Sequence, residues 1–192
     1  MGKGKKRTTA TIMSMVVVGA AIVLFYFYWV NRTDPLDETS VEELTDVQKL
    51  LQKDLDTNYP ETPREVVKLH SNMLKILYTE LNDEDTQALA LKIRELYDEE
   101  FLANNPETTY LKDLYAEISE WKKVNRKIAN YILVNEDQEQ ENTVDGEKYA
   151  DVYVSYTIQE KGKFAEVWRF LLRMSDEGKW KILGWKFVPD EK

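Results

Sequence analysis

The chain has 192 residues, 43% hydrophobic and 32% charged, with 26 Lys and Arg against 35 Asp and Glu. It contains no cysteine and one histidine, which excludes disulfides, thiol nucleophiles, thiolate metal sites, a lipid-modified cysteine and histidine-rich metal sites. Four of the basic residues and none of the acidic ones lie in residues 1–30, so the remainder is strongly acidic, which opposes phosphate backbones and argues against nucleic-acid binding.

Residues 1–7 form a basic tail carrying Lys3, Lys5, Lys6 and Arg7. From Thr8 to Val30 there are 23 positions without a charge, enough at ~1.5 Å per helical residue to cross a hydrocarbon layer roughly 30 Å thick. The stretch predicts a transmembrane anchor over residues 8–30. Ile12, Val17 and Leu24 sit in its apolar run, which ends in the aromatic belt from Phe25 to Trp29, suited to the membrane interface. No small-residue cleavage site follows, so the anchor is expected to stay uncleaved. Basic residues precede it, and Arg32 is quickly followed by Asp34, Asp37 and Glu38. The expected topology is therefore a cytoplasmic N-terminus and an extracytoplasmic remainder, with the lipid bilayer as a partner.

Residues 31–61 read as a stalk. Ser40 and Glu43 form a capping box, and Val41, Leu44, Val47, Leu51 and Leu55 follow at helical spacing. They predict a juxtamembrane amphipathic helix that packs on the domain or pairs with a second copy.

Residues 62–192 predict one α+β domain. Thr62, Pro63 and Glu65 start a helix whose apolar face is Val66, Leu69, His70, Met73, Leu77 and Leu81. A second helix runs from about Asp83, with Leu89, Ile93, Leu96, Tyr97 and Phe101 inward, and stops before Pro106. A third spans about Thr109 to Lys127. After Ile128 the period becomes alternating, with turns at Asp145-Gly146, Lys161-Gly162 and Glu177-Gly178. Four antiparallel strands are expected, near 128–143, 148–160, 163–175 and 179–188. The stretch "NEDQEQEN" at 135–142 is too polar to need a fixed place in the first hairpin.

Helices followed by an antiparallel meander ending in "DEGKWKILGW" resemble the nuclear transport factor 2-like, cone-shaped α+β superfamily over about Thr62 to Val188. The resemblance implies helices packed on a curved four-stranded sheet, with the first helix flanking a cavity. "NYPETPREVVK" with the terminal "GKWKILGW" is similar to an uncharacterised group of bacterial single-pass membrane proteins. A basic tail, one span and such a domain outside also resemble inner-membrane assembly factors of conjugative and type IV secretion machines.

Few residues suggest chemistry. His70 is the side chain whose ordinary pKa lies near neutrality, but it falls on the apolar face of its helix. The acidic clusters at Asp83-Glu84-Asp85, Asp98-Glu99-Glu100 and Glu136 to Glu141 lack the spacing of a calcium loop, and neither metal nor cofactor is expected. No glycine-rich phosphate loop, nucleophile elbow or His-Glu-x-x-His pair is present.

The terminal hairpin leaves its register open. A two-residue turn pairs Phe170 with Trp185 and Trp168 with Phe187; a three-residue turn sets Phe170 opposite Gly184 and Trp168 opposite Lys186. Either way both faces keep large apolar groups beside Arg169, which suggests a second burial partner. Trp168, Arg169, Phe170, Trp185 and Phe187 are the expected partner or ligand surface. Two readings stand: a non-catalytic binding or scaffold module of the cell envelope, alone or as a homo-oligomer, or a pocket enzyme or small-ligand binder using His70 with Asp98, Tyr78 or Tyr97.

Overall fold

The computed structural model describes residues 45–79, 81–134 and 140–189. The basic tail, the anchor with Ile12, Val17, Leu24, Phe25 and Trp29, the stalk up to Leu44 with its Ser40–Glu43 box, and Asn135 to Glu139 lie outside the described residues. Among the described residues no helix is long and apolar enough to cross a membrane.

Among the described residues five helices precede five strands: α1 Asp46–Leu51, α2 Pro63–Leu77, α3 Asp83–Arg94, α4 Glu99–Asn104, α5 Glu107–Lys123, then β1 Lys127–Leu133, β2 Gln140–Val144, β3 Glu147–Gln159, β4 Lys163–Met174 and β5 Trp180–Val188. The fold is α+β with an antiparallel sheet, in the order β1-β3-β4-β5, β2 pairing with β3 beyond the end of β1.

The helix expected across Ser40 to Leu55 ends at Leu51. Its described start is Thr45, whose side chain accepts the Gln48 N–H while the Gln48 side chain accepts the Thr45 N–H, a capping box one turn later than the one read from Ser40. Past Leu51 the Asp54 carboxylate accepts the N–H groups of Asp56 and Thr57, turning the chain. α1 packs on α3 and α2, and Val47, Leu50 and Leu55 join the core, so this segment lies on the domain.

The α2 helix starts as its sequence dictates. Thr62 Oγ1 accepts the Glu65 N–H at 3.2 Å and the Glu65 carboxylate accepts the Thr62 N–H at 3.2 Å, with Pro63 at the first helical position. Val66, Val67, His70, Ser71, Met73 and Leu77 are buried, and Ser71 Oγ meets the Tyr156 hydroxyl at 2.7 Å, tying α2 to the centre of the sheet. The second expected helix is in fact two. α3 ends at Arg94, and Asp98 then caps α4 by accepting the Glu100 N–H. The break comes from β5: Ile182 N–H donates to Leu96 O and Ile182 O accepts the Asp98 N–H, each at 2.9 Å. Tyr97 is thereby held as a parallel bridge to Ile182 at the sheet edge. α5 starts two residues before the expected Thr109 and ends at Lys123, where Asn125 takes a left-handed φ of 52° and Arg126 N–H reaches back to Trp121 O, a helix stop normally made with Gly or Asn.

Instead of one strand over 128–143 there are two, because β3 is 13 residues long and takes β1 and β2 in succession along one edge. Gln140 to Asn142, the end of the stretch expected to need no fixed place, are held in β2 opposite Asp151, Ala150 and Tyr149, because the Asp145-Gly146 turn sets that pairing. Asp145 and Gly146, at φ 52° and 89°, make the two-residue β2–β3 turn that Asp-Gly favours.

The last hairpin uses both registers. Around its turn the pairs are Met174–Trp180, Arg173–Lys181 and Leu172–Ile182, and Ser175 N–H donates to Lys179 O, closing a three-residue loop with Gly178 at φ 74°. The register then shifts: Leu171 pairs with Gly184, Phe170 with Trp185 and Trp168 with Phe187, leaving Leu183 as the extra residue of a β-bulge. Trp180, Ile182, Trp185 and Phe187 therefore all point to the helix-covered face, which simple alternation along "WKILGWKF" does not allow.

Candidate functional site

His70 lies mid-α2 with 0% exposure. Its ring is enclosed by Phe170, Trp185 and Tyr97, at centroid distances of 5.3, 5.6 and 5.7 Å. Nε2 is 3.3 Å from the Tyr97 hydroxyl, whereas Nδ1 has no hydrogen-bond partner among the described residues. Burial drives the imidazole pKa down to about 3, so the ring is neutral. Burial also raises the Tyr97 hydroxyl, helped by the neighbouring Tyr110 and Tyr78 and opposed by Arg94. A general base must come within hydrogen-bond reach of the proton that it takes, and this nitrogen reaches none unless its aromatic cage opens.

The other residues considered with His70 divide. Tyr97 meets it. Tyr78 instead packs on Trp121, centroid to centroid 4.3 Å, and its hydroxyl is raised first by burial and then by Glu117. Asp98 is nearly buried, but its carboxylate is held by Arg173 Nε at 3.1 Å and Nη2 at 2.5 Å. That guanidinium also faces Glu100 at 3.3 Å and Glu147 at 3.7 Å, and its charged form is favoured chiefly by the Asp98 hydrogen bond. No group of three or more His, Asp or Glu is placed to hold a metal ion among the described residues.

A groove of about 950 Å³ runs between the 54–59 turn, the end of α3 and the β4–β5 turn. Asp98–Arg173 forms part of its wall, and Lys181 lies over the Tyr59 ring at 4.4 Å while donating to Glu95 O at 2.6 Å. Burial and the nearby Lys179 lower the Lys181 ammonium. The main cations of the groove are therefore engaged by the fold.

The expected partner residues occupy three environments. Phe170 is core, 1% exposed. Trp168 is half-buried, its indole N–H donating to Glu166 at 3.2 Å and its ring set edge-on to Phe187 at 6.0 Å. Trp185 and Phe187 are 37% and 49% exposed on the same face, with Phe164 at 43% beyond the Ile158 pair. Trp185 and Phe187, with Trp168 against Phe187, form an aromatic rim, and Phe164 is separated from it along β4 by Glu166. Arg169 is on the opposite face, its Nε and Nη2 bonding both Asp151 oxygens at 2.7 and 2.5 Å. The bulge that separates these environments was signalled by Gly184 inside a strand pattern, since a strand glycine often marks a bulge.

A family model described as a domain of unknown function (DUF6715) matches residues 1–185, and the chain belongs to that family. No curated protein matches the chain.

Proposed function

We propose that this member of the family is a single-pass membrane-anchored extracytoplasmic protein whose cone-shaped, nuclear transport factor 2-like domain binds or scaffolds another envelope component without catalysis. The observation that carries the binding role is the exposure of Trp185 and Phe187, two residues apart on β5, with Phe187 against half-buried Trp168 on the face that otherwise holds the core; exposed Phe164 lies further along β4 on the same face, beyond Glu166. Contiguous exposed aromatics on a soluble domain mark an interaction surface more often than isolated ones. The enclosure of His70 and the commitment of Asp98 to Arg173 weigh against a pocket enzyme. Support for the cone-shaped reading comes from the order of helices before an antiparallel sheet, with α2 lying on β1, β3 and β5. The anchor rests on the uncharged stretch from Thr8 to Val30 and its aromatic end.

Small-ligand binding at His70 keeps one supporting observation, the unpartnered Nδ1.

The rim is tested by sedimentation of the fragment Leu44–Lys192, alone and with candidate envelope partners, against Phe187→Ser. We expect Phe187→Ser to weaken self-association or partner capture while leaving the unfolding free energy within about 0.5 kcal/mol of the parent, as for surface substitutions generally. A parent fragment that stays monomeric at high concentration and captures none of those partners rules the scaffold reading out.

A further inference from the structure

The face of the hairpin that turns away from the helices carries an unusual pairing. Arg169 on β4 and Lys186 on β5 are direct cross-strand partners, and like charges set opposite each other destabilise a sheet. Asp151 satisfies Arg169 through Nε and Nη2 and leaves Nη1 without a partner among the described residues, while Lys186 makes no ion pair with any described residue. The Asp151 carboxylate is thus committed to Arg169, and the Lys186 charge has no counter-charge among the described residues.

Beside this pair the bulge opens a cradle of about 290 Å³, lined by Arg169, Leu171, Leu183, Gly184, Trp185 and Lys186. Gly184 leaves the space open: a Cβ added there would meet nothing within 4 Å. Its φ lies outside the left-handed region, so the backbone does not demand glycine. Leu171 and Leu183 supply apolar walls next to the two cations.

We propose that this cradle binds a carboxylate carried on an apolar stem, the carboxylate bridging Arg169 Nη1 and Lys186 Nζ and the stem lying between Leu171 and Leu183 over Gly184. One uncompensated charge matches a monoanion. The remaining Nη1 N–H and the Lys186 ammonium are charged donors suited to carboxylate oxygens, and the volume sits at the lower end of small-molecule sites, about 300 Å³. This goes beyond the binding reading of the aromatic rim: Trp185 belongs to both linings, but Arg169, Lys186 and Gly184 are not used by the rim, so either can fail while the other stands. The same chemistry is offered by a free aliphatic acid and by a glutamate of a partner peptide.

The full chain, isotopically labelled in a non-ionic detergent, is titrated with sodium hexanoate, with a blocked leucine-glutamate-leucine peptide, and with 1-hexanol as the uncharged control. We expect saturable amide shifts centred on Gly184 and Lys186 with hexanoate or with the peptide, whichever source the cradle serves, and none with 1-hexanol. Lys186→Gln should weaken binding at least tenfold, and Gly184→Val, which fills the cradle, should abolish it at an unchanged Tm. If Gly184→Val disturbs the hairpin, Lys186→Gln carries the test. Absence of saturation with both acids, equal binding of 1-hexanol, or a Lys186→Gln protein that binds like the parent overturns the proposal.

Discussion

The imidazole of His70 and the indole of Trp185 lie 5.6 Å apart, centroid to centroid, which joins the chain's single histidine to its half-open aromatic rim. Trp185 is thereby part of the rim and part of the wall around an unpartnered nitrogen. Truncating it would admit water to His70 Nδ1 as well as shrink the exposed surface. Phe187, which touches Trp168 and not His70, is the cleaner probe of the rim.

The same cage predicts a pH dependence. The native imidazole is depressed to about 3, whereas an unfolded histidine titrates near 6.5. Between those values the unfolded chain binds a proton that the native chain does not, so stability falls as pH falls. From about pH 7.5 to about pH 5 the expected loss is ~2 kcal/mol, in a window where carboxylates contribute little. With one histidine in the chain, His70→Leu should flatten this slope. Parallel slopes for parent and variant, from denaturation at each pH, would count against a neutral buried ring.

Thr62 anchors the N-terminus of α2 through a reciprocal pair with Glu65. Thr62→Ala frees a helix-end N–H and should cost about 1 kcal/mol, read as a lower denaturation midpoint at unchanged m-value. An unmoved midpoint would mean that Pro63 alone sets the helix start.

Asp98 works in three places: its N–H bonds Ile182, its carboxylate caps α4, and the same carboxylate pairs with Arg173. Asp98→Ala keeps the first and removes the other two, leaving Arg173 with the longer contacts to Glu100 and Glu147. We expect a loss of about 2–3 kcal/mol, below the value for a fully buried pair because the guanidinium is partly open to water. Arg173→Met alone should lose less than Asp98→Ala, since the α4 cap survives. Equal losses would assign the whole effect to the ion pair.

Topology is checked with protease added to intact spheroplasts. If the basic tail is cytoplasmic, the domain is digested from outside. Full protection, or a mature chain beginning near residue 30, would reverse the expectation.

Local signals were legible in the sequence where they are self-contained. Thr62-Pro63-Glu65 names a helix start, and Asp145-Gly146 names a two-residue turn, because each is satisfied within four residues. The features that escaped depend on distant partners. The split between α3 and α4 requires Ile182, which donates to Leu96 O and accepts from the Asp98 N–H, far away in the chain. The contact of His70 with Tyr97 follows from that split, since it is the bridge of Tyr97 to Ile182 that sets the tyrosine against α2. The hairpin register was undecidable for a more specific reason: each of the two candidates is correct on one side of Leu183. Only packing against the core, which favours Trp185 inward over Gly184, places the extra residue there.

The short α1 helix has a mechanical consequence. Any tension entering the domain from ahead of Thr45 meets first a six-residue helix with two buried side chains, Val47 and Leu50. A load along that path peels these contacts one after another, whereas pulling the sheet apart requires many β3–β4 hydrogen bonds to fail together. The stretch from Thr45 to Asp54 would therefore yield to such a load before the five-stranded body gives way.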